Sequence, residues 1–234
     1  LAARWARADA LANIQRSKEL GRTARTQTMQ RNKIMRHVTP AITCLASVLV
    51  SGSAFGGADL LNIPLNWKPT STFASMGSID LSGNIVATSI HFEALVDARQ
   101  NPSLIAENRE KANKFRQVTT TSDVAAFVTD HFKESLHAGG LNIVDGAADV
   151  TISGELRQFF VTETTTYMGE VSMVIHVKNS AGKEVWTGLV GGNAERFGRS
   201  YKADNYYETM SDMVLRASYN LLSNQGFRDT LQKH

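Results

Sequence analysis

Histidine can hold a metal or move a proton near neutral pH, and six histidines give this chain the residues to attempt either. Their spacing does not help them. His131 and His137 fall on one predicted helix, six positions apart, so they project from different faces and cannot chelate as an i, i+4 pair would. His91 and His176 fall in predicted strands with no carboxylate at ligand spacing. Nucleophilic chemistry fares no better. No serine sits in a G-x-S-x-G elbow, and Ser153-Gly154-Glu155 belongs to a strand run. The one cysteine, Cys44, lies in an apolar run and leaves neither an internal disulfide nor a thiolate metal site to build. Gly139-Gly140 closes a predicted helix rather than opening one, so no helix N-terminus is aimed at an anion there. Carboxylates are scattered over loops and polar strand faces, where solvation is their default role, and paired-carboxylate chemistry stays open only in principle. The reading is therefore a protein that is not an enzyme, with no catalytic, metal-binding or cofactor-binding residues and no cofactor.

Recognition is what remains. Tyr201, Tyr206 and Tyr207 cluster before the last predicted helix, and Tyr167-Met168 occupy a predicted hairpin tip. Aromatic rings with polar tips suit interfaces, so these five residues are the candidate partner contacts. Packing at the edge of the core is the competing use of the same side chains.

The elements that would position them follow from periodicity. A strand is predicted over Ile85–Ala98, with Ile90, Phe92 and Ala94 on one face. Asn101-Pro102 ends it, and residues 103–119 read as a polar connection. A helix is expected over Ser122–Ala138, capped by Thr121 or Ser122 and striped by Val124, Phe127, Val128, Phe132 and Leu136. A short strand over Leu141–Val144 follows. The long strand Ala148–Thr164 alternates until Phe159-Phe160, where a bulge or bend is expected. Tyr167-Met168-Gly169 reads as a turn, Val171–Val177 as a strand, Asn179–Gly182 as a hairpin loop, and Glu184–Gly191 as the returning strand. Asn205-Tyr206-Tyr207-Glu208 resembles a capping box opening a final helix to about Leu222. Its buried stripe is Met210, Met213, Val214, Ala217 and Leu221. The fold class is α+β: an antiparallel sheet with two main helices on one face, preceded by a signal peptide.

Charge separates this domain from what precedes it. Residues 1–40 carry nine Lys and Arg against two Asp and Glu, a net of +7, while the rest nets −4. The basic pI belongs to the leader, so the domain carries no nucleic-acid footprint. Within residues 29–58, Arg31, Lys33, Arg36 and His37 precede the apolar run Ala41–Val50 and the small residues Ser51–Ala54. That is the layout of a secretory signal peptide, cleaved after Ala54 or Ala58. Ten apolar residues are too few to span a hydrocarbon core, which needs about 20, and no other stretch promises a membrane span in the mature chain. Residues 1–28 read as a basic leader upstream of the true start, which Met29 or Met35 would supply, with a transit peptide as the alternative. Residues 59–80, with Pro64 and Pro69, read as an irregular arm, and 81–234 as a single domain.

One set of spaced features carries a family resemblance. A helix ends in Leu136-His137-Ala138-Gly139-Gly140. Then come Ala148-Asp149-Val150, Ile152-Ser153-Gly154-Glu155-Leu156 and Phe159-Phe160-Val161. The hairpin Val171–Val177, Gly182-Lys183-Glu184-Val185-Trp186, Gly191-Gly192, and Leu221-Leu222 followed by Phe227 complete it. This stretch resembles the YajG-like bacterial envelope lipoproteins and, more loosely, the auxiliary lipoproteins of ABC-type transport systems. The resemblance implies a small periplasm-facing domain without catalytic residues, whose partner is an envelope protein or membrane-associated complex. It also implies lipid tethering, from which this chain departs: Ala41-Ile42-Thr43 before Cys44 is not a lipobox, and a soluble periplasmic form is expected. The alternative function is a small-ligand-binding module of the periplasm.

Overall fold

The computed structural model describes residues 59–234 apart from positions 80, 82, 112, 113 and 199. The leader, the expected signal over 29–58 and Cys44 lie outside the described residues. An extended arm holding one helical turn (α1, Phe73–Met76) leads to a second turn (α2, Asn84–Ala87) and two short strands, β1 (Ser89–Phe92) and β2 (Val96–Asp97). The strands β3 (Leu104–Lys111) and β4 (Lys114–Thr119) precede α3 (Val124–Ala138) and β5 (Asn142–Val144). Three strands of fourteen residues follow, β6 (Val150–Glu163), β7 (Thr166–Asn179) and β8 (Glu184–Phe197). Helices α4 (Ala203–Ser223) and α5 (Gln225–Leu231) close the chain.

Strand β6 is the spine of the sheet. Along one edge it pairs antiparallel with β7, which pairs antiparallel with β8. Its other edge takes β1, β2 and β3 in succession, all parallel, with Ile90 opposite Val150, Val96 opposite Glu155 and Ala106 opposite Val161. Strand β5 extends β1 in parallel, and β4 extends β3 antiparallel. The expected α+β fold is present, with a mixed sheet in place of a wholly antiparallel one. The parallel pairs arise because α3 carries the chain back to the end where it started, which hairpin connections cannot do.

The helices cover one face. Along β7, Tyr167, Val171, Met173, Ile175 and Val177 are buried, while Met168, Glu170, Ser172, Val174 and His176 look the other way. Onto the buried side of the sheet pack Val124, Val128, Phe132 and Leu136 of α3, with Phe132 against Phe92 of β1, and Met210, Met213, Val214, Ala217 and Leu221 of α4. Helix α4 comes so close to β8 that a Cβ on Gly192 would sit 2.1 Å from the Met213 carbonyl oxygen. The arm lies on this layer too. Ile63 donates its N–H to the Thr119 carbonyl at 2.9 Å, Thr70 and Ser71 donate theirs to Asp212, and Trp67 stacks on His131 at 4.2 Å.

Several expectations need correction. The strand expected over 85–98 is broken into α2, β1 and β2. The polar connection over 103–119 is the pair β3 and β4. Helix α3 is capped by Asp123, which accepts from the Ala126 N–H at 2.9 Å. The register shift in β6 falls between Leu156 and Gln158 rather than at Phe159-Phe160. Tyr167-Met168-Gly169 are strand residues, because the chain turns earlier, where the Thr164 N–H meets the Thr166 carbonyl at 2.9 Å. Strand β8 runs on to Phe197. Asn205 caps nothing: α4 begins at Ala203 without a side-chain cap. Helix α5 was not foreseen; Asn224 caps it, and its Phe227 is buried against Trp186, ring centres 5.5 Å apart.

Candidate functional site

Beyond the shift at Arg157, the inward row of β6 runs Phe159, Val161, Glu163, and a carboxylate is carried into the interior. Glu163 is fully buried. The Tyr206 hydroxyl donates to its Oε2 at 2.5 Å and the Tyr201 backbone N–H to its Oε1 at 3.0 Å. Burial, and then the hydrogen bond to Glu163, push the Tyr206 hydroxyl far above the ordinary phenol range. It therefore stays protonated and remains a donor.

Tyr167 meets Tyr206 edge-on at 5.0 Å, and Tyr201 meets it at 6.2 Å. The Tyr167 hydroxyl accepts from the Ser200 N–H at 3.2 Å and the Asn205 Nδ2 at 3.3 Å. Tyr201 holds a positive φ of 41°, uncommon for a residue with a side chain. Its hydroxyl donates to the Gln117 carbonyl at 3.0 Å and accepts from the Leu60 N–H at 3.0 Å. The Arg116 guanidinium lies 3.5 Å from the centre of its ring. One polar network thus ties the end of β6, the loop before α4, the edge strand β4 and the arm. Its chemistry is that of a latch: a buried carboxylate held by the Tyr206 hydroxyl and the Tyr201 N–H.

The five sequence candidates divide accordingly. Tyr167 and Tyr206 are fully buried, Tyr207 is nearly so, with burial raising its hydroxyl pKa, and Tyr201 is half-buried. The structure brings Tyr167, Tyr201 and Tyr206 together around Glu163. Met168 alone faces solvent, on the opposite side of the sheet. There it helps line an open trough of about 660 Å³ with Gln158, Phe160, Glu170, Leu189 and Glu195. Leu189, in β8, is 74% exposed, and Glu170 is held by the Gln158 amide at 2.9 Å. Sequence reading missed Leu189 and Glu163. Each had a signal: Leu189 is a lone apolar residue in the row of Thr187, Gly191 and Asn193, and Glu163 keeps step with Phe159 and Val161. His176 pairs with Glu184 at 2.7 Å and Thr187 at 3.1 Å on this open face. Among the described residues, no three His, Cys, Asp or Glu side chains gather to hold a metal ion.

No family model matches the chain, and no curated protein matches it. Solved structures with a similar chain path exist. One is a Xanthomonas campestris protein of family DUF330, 10% identical, with a TM-score of 0.44, covering 70% of this chain and 92% of that one. The PelC dodecamer of Paraburkholderia phytofirmans is 14% identical, with a TM-score of 0.37, covering 62% of this chain and 93% of that one. A minor lipoprotein from Acinetobacter baumannii is 7% identical, with a TM-score of 0.33, covering 60% and 96% respectively. Among the described residues no helix is long and apolar enough to cross a membrane.

Proposed function

We propose that this chain is exported and serves at the cell envelope as a non-enzymatic accessory protein, holding a protein partner on the open face of β6, β7 and β8. The observation that carries the reading is the outer face, which no helix among the described residues covers. Three long strands leave Met168 and Leu189 exposed around a trough whose rim bears Glu170 and Glu195. A complementary surface presents an apolar side chain flanked by cations, since desolvated apolar anchors supply affinity and opposite charges set the register. Support for export comes from the cationic, apolar and small-residue succession of 29–58, and support for an envelope setting from the YajG-like spacing of the domain. The latch around Glu163 suits this role: it fixes the frame on which the open face is displayed.

The test is capture of the exported chain with its partners from solubilised envelopes. One stoichiometric envelope protein, lost on Leu189→Asp with Met168→Asp, is the expected outcome; repeated absence of any such protein contradicts the reading. A small-ligand module is the second reading, favoured by the trough's volume, since ligand pockets run about 300–1,000 Å³. Such pockets also enclose most of their ligand, and this trough is open along its length.

A further inference from the structure

Strand directions gather several chain segments at one rim of the sheet. Strand β3 runs parallel to β6 with Asn108 opposite Glu163, so Arg109–Lys111 and the start of β4 project past the end of β6. The β6–β7 turn and the end of β8, where Phe197 pairs with Thr166, share that rim. Asp59 is held there by an ion pair to Arg116 at 3.1 Å. Four of the seven large apolar side chains exposed among the described residues belong to this end: Leu61 (53%), Phe115 (58%), Met168 (48%) and Phe197 (87%). Leu61 and Phe115 line one hollow of about 420 Å³ with Lys114 and Arg116 and with the carboxylates Asp59 and Glu107 that pair with Arg116 and Arg109.

Charge is concentrated at the same place. Residues 109–116 hold Arg109, Lys111, Lys114 and Arg116 against Glu110, a net of +3, while the remainder of residues 59–234 nets −7. Two of these cations already have partners within the protein: Arg109 pairs with Glu107 at 2.7 Å, and Arg116 with Asp59. Lys111 and Lys114 are different. They stand directly opposite each other across the two strands, both exposed. Like charges in that position destabilise a strand pair, and an anion from outside the protein would relieve them.

We infer that this rim docks on an anionic phospholipid surface, with Lys111 and Lys114 among the headgroup phosphates and Phe115 and Leu61 entering the interface. Two features favour a lipid surface over a protein. The exposed groups spread from β8 to β4, four strand spacings or about 19 Å, along an edge and not around a groove, and a bilayer moulds to such a line. Aromatic side chains and cations together are also the composition of interfacial anchors.

The test uses the full chain carrying Cys44→Ser and one environment-sensitive fluorophore, placed at Phe115→Cys or, as control, at Ala181→Cys in the β7–β8 loop at the opposite end. Vesicles are phosphatidylcholine, with or without phosphatidylglycerol. The fluorophore at 115 is expected to shift with phosphatidylglycerol vesicles only, and the one at 181 to stay silent. Lys111→Glu with Lys114→Glu is expected to weaken the response about tenfold or more, and added salt to weaken it too. Equal responses at both sites would assign the binding to the basic leader and overturn the proposal. So would silence at 115, a response indifferent to the lysine substitutions, or a response to soluble envelope proteins in place of vesicles. Loss of export in cells leaves this result untouched, so the two readings fail separately.

Discussion

Strands β6, β7 and β8 present two faces by alternation of their residues, and the two faces differ in burial. Inward, Val171, Met173, Ile175 and Val177 have no measurable exposure; outward, Glu170 and Leu189 stand in solvent. Backbone pairing is shared, so the difference lies in what covers each face. Helices α3 and α4 make the inner face the source of stability; no helix among the described residues covers the outer face, the one proposed for recognition. A substitution on one side should therefore register as lost folding free energy, and on the other as lost binding.

The largest expected effect is on the covered side. Phe132→Ala removes a fully buried ring that packs on Phe92, ring centres 5.9 Å apart. It should cost about 3–5 kcal/mol in chemical denaturation. Next comes Tyr206→Phe, which takes the hydroxyl away from a carboxylate that cannot reach water. A loss of about 1–3 kcal/mol is expected, partly recovered by Glu163→Gln in the same chain. A smaller and pH-dependent effect belongs to Asp97, whose hydrogen bonds from Arg99 hold its carboxyl below the usual 3.8. A depressed pKa contributes stability that is full above that value and lost as pH falls through the lower folded one. Asp97→Asn should accordingly lower stability at neutral pH and flatten its decline below about pH 4, read from denaturation midpoints across an acid series. Smallest of all is Leu189→Asp, expected within about 0.5 kcal/mol of the parent. If it unfolds the chain as Phe132→Ala does, the division of labour between the faces is wrong.

How much of this was legible beforehand depended on how strongly each element is patterned. The stripes of α3 and α4, and the strands and loop around Asn179–Gly182, stood out because long elements repeat their period several times. The strands β3 and β4 did not: they bury only Ile105, Ala106, Asn108 and Val118 between them, and most of the other positions are charged. Gly169 suggested a turn, yet its small size serves packing, since a Cβ there would come 2.7 Å from the Thr209 methyl. The tyrosines were noticed for their chemistry and misplaced in space. Which face an aromatic takes depends on the strand shift at Arg157 and the early turn at Thr164, and neither has a glycine or proline to mark it.

The measurement that bears most directly on this account is photo-crosslinking in living cells from position 189. A photoreactive residue there should join the chain to one defined envelope protein, with position 181 giving none. Products equal at both positions, or none from 189 while the protein is folded and exported, would contradict the assignment of the open face to recognition.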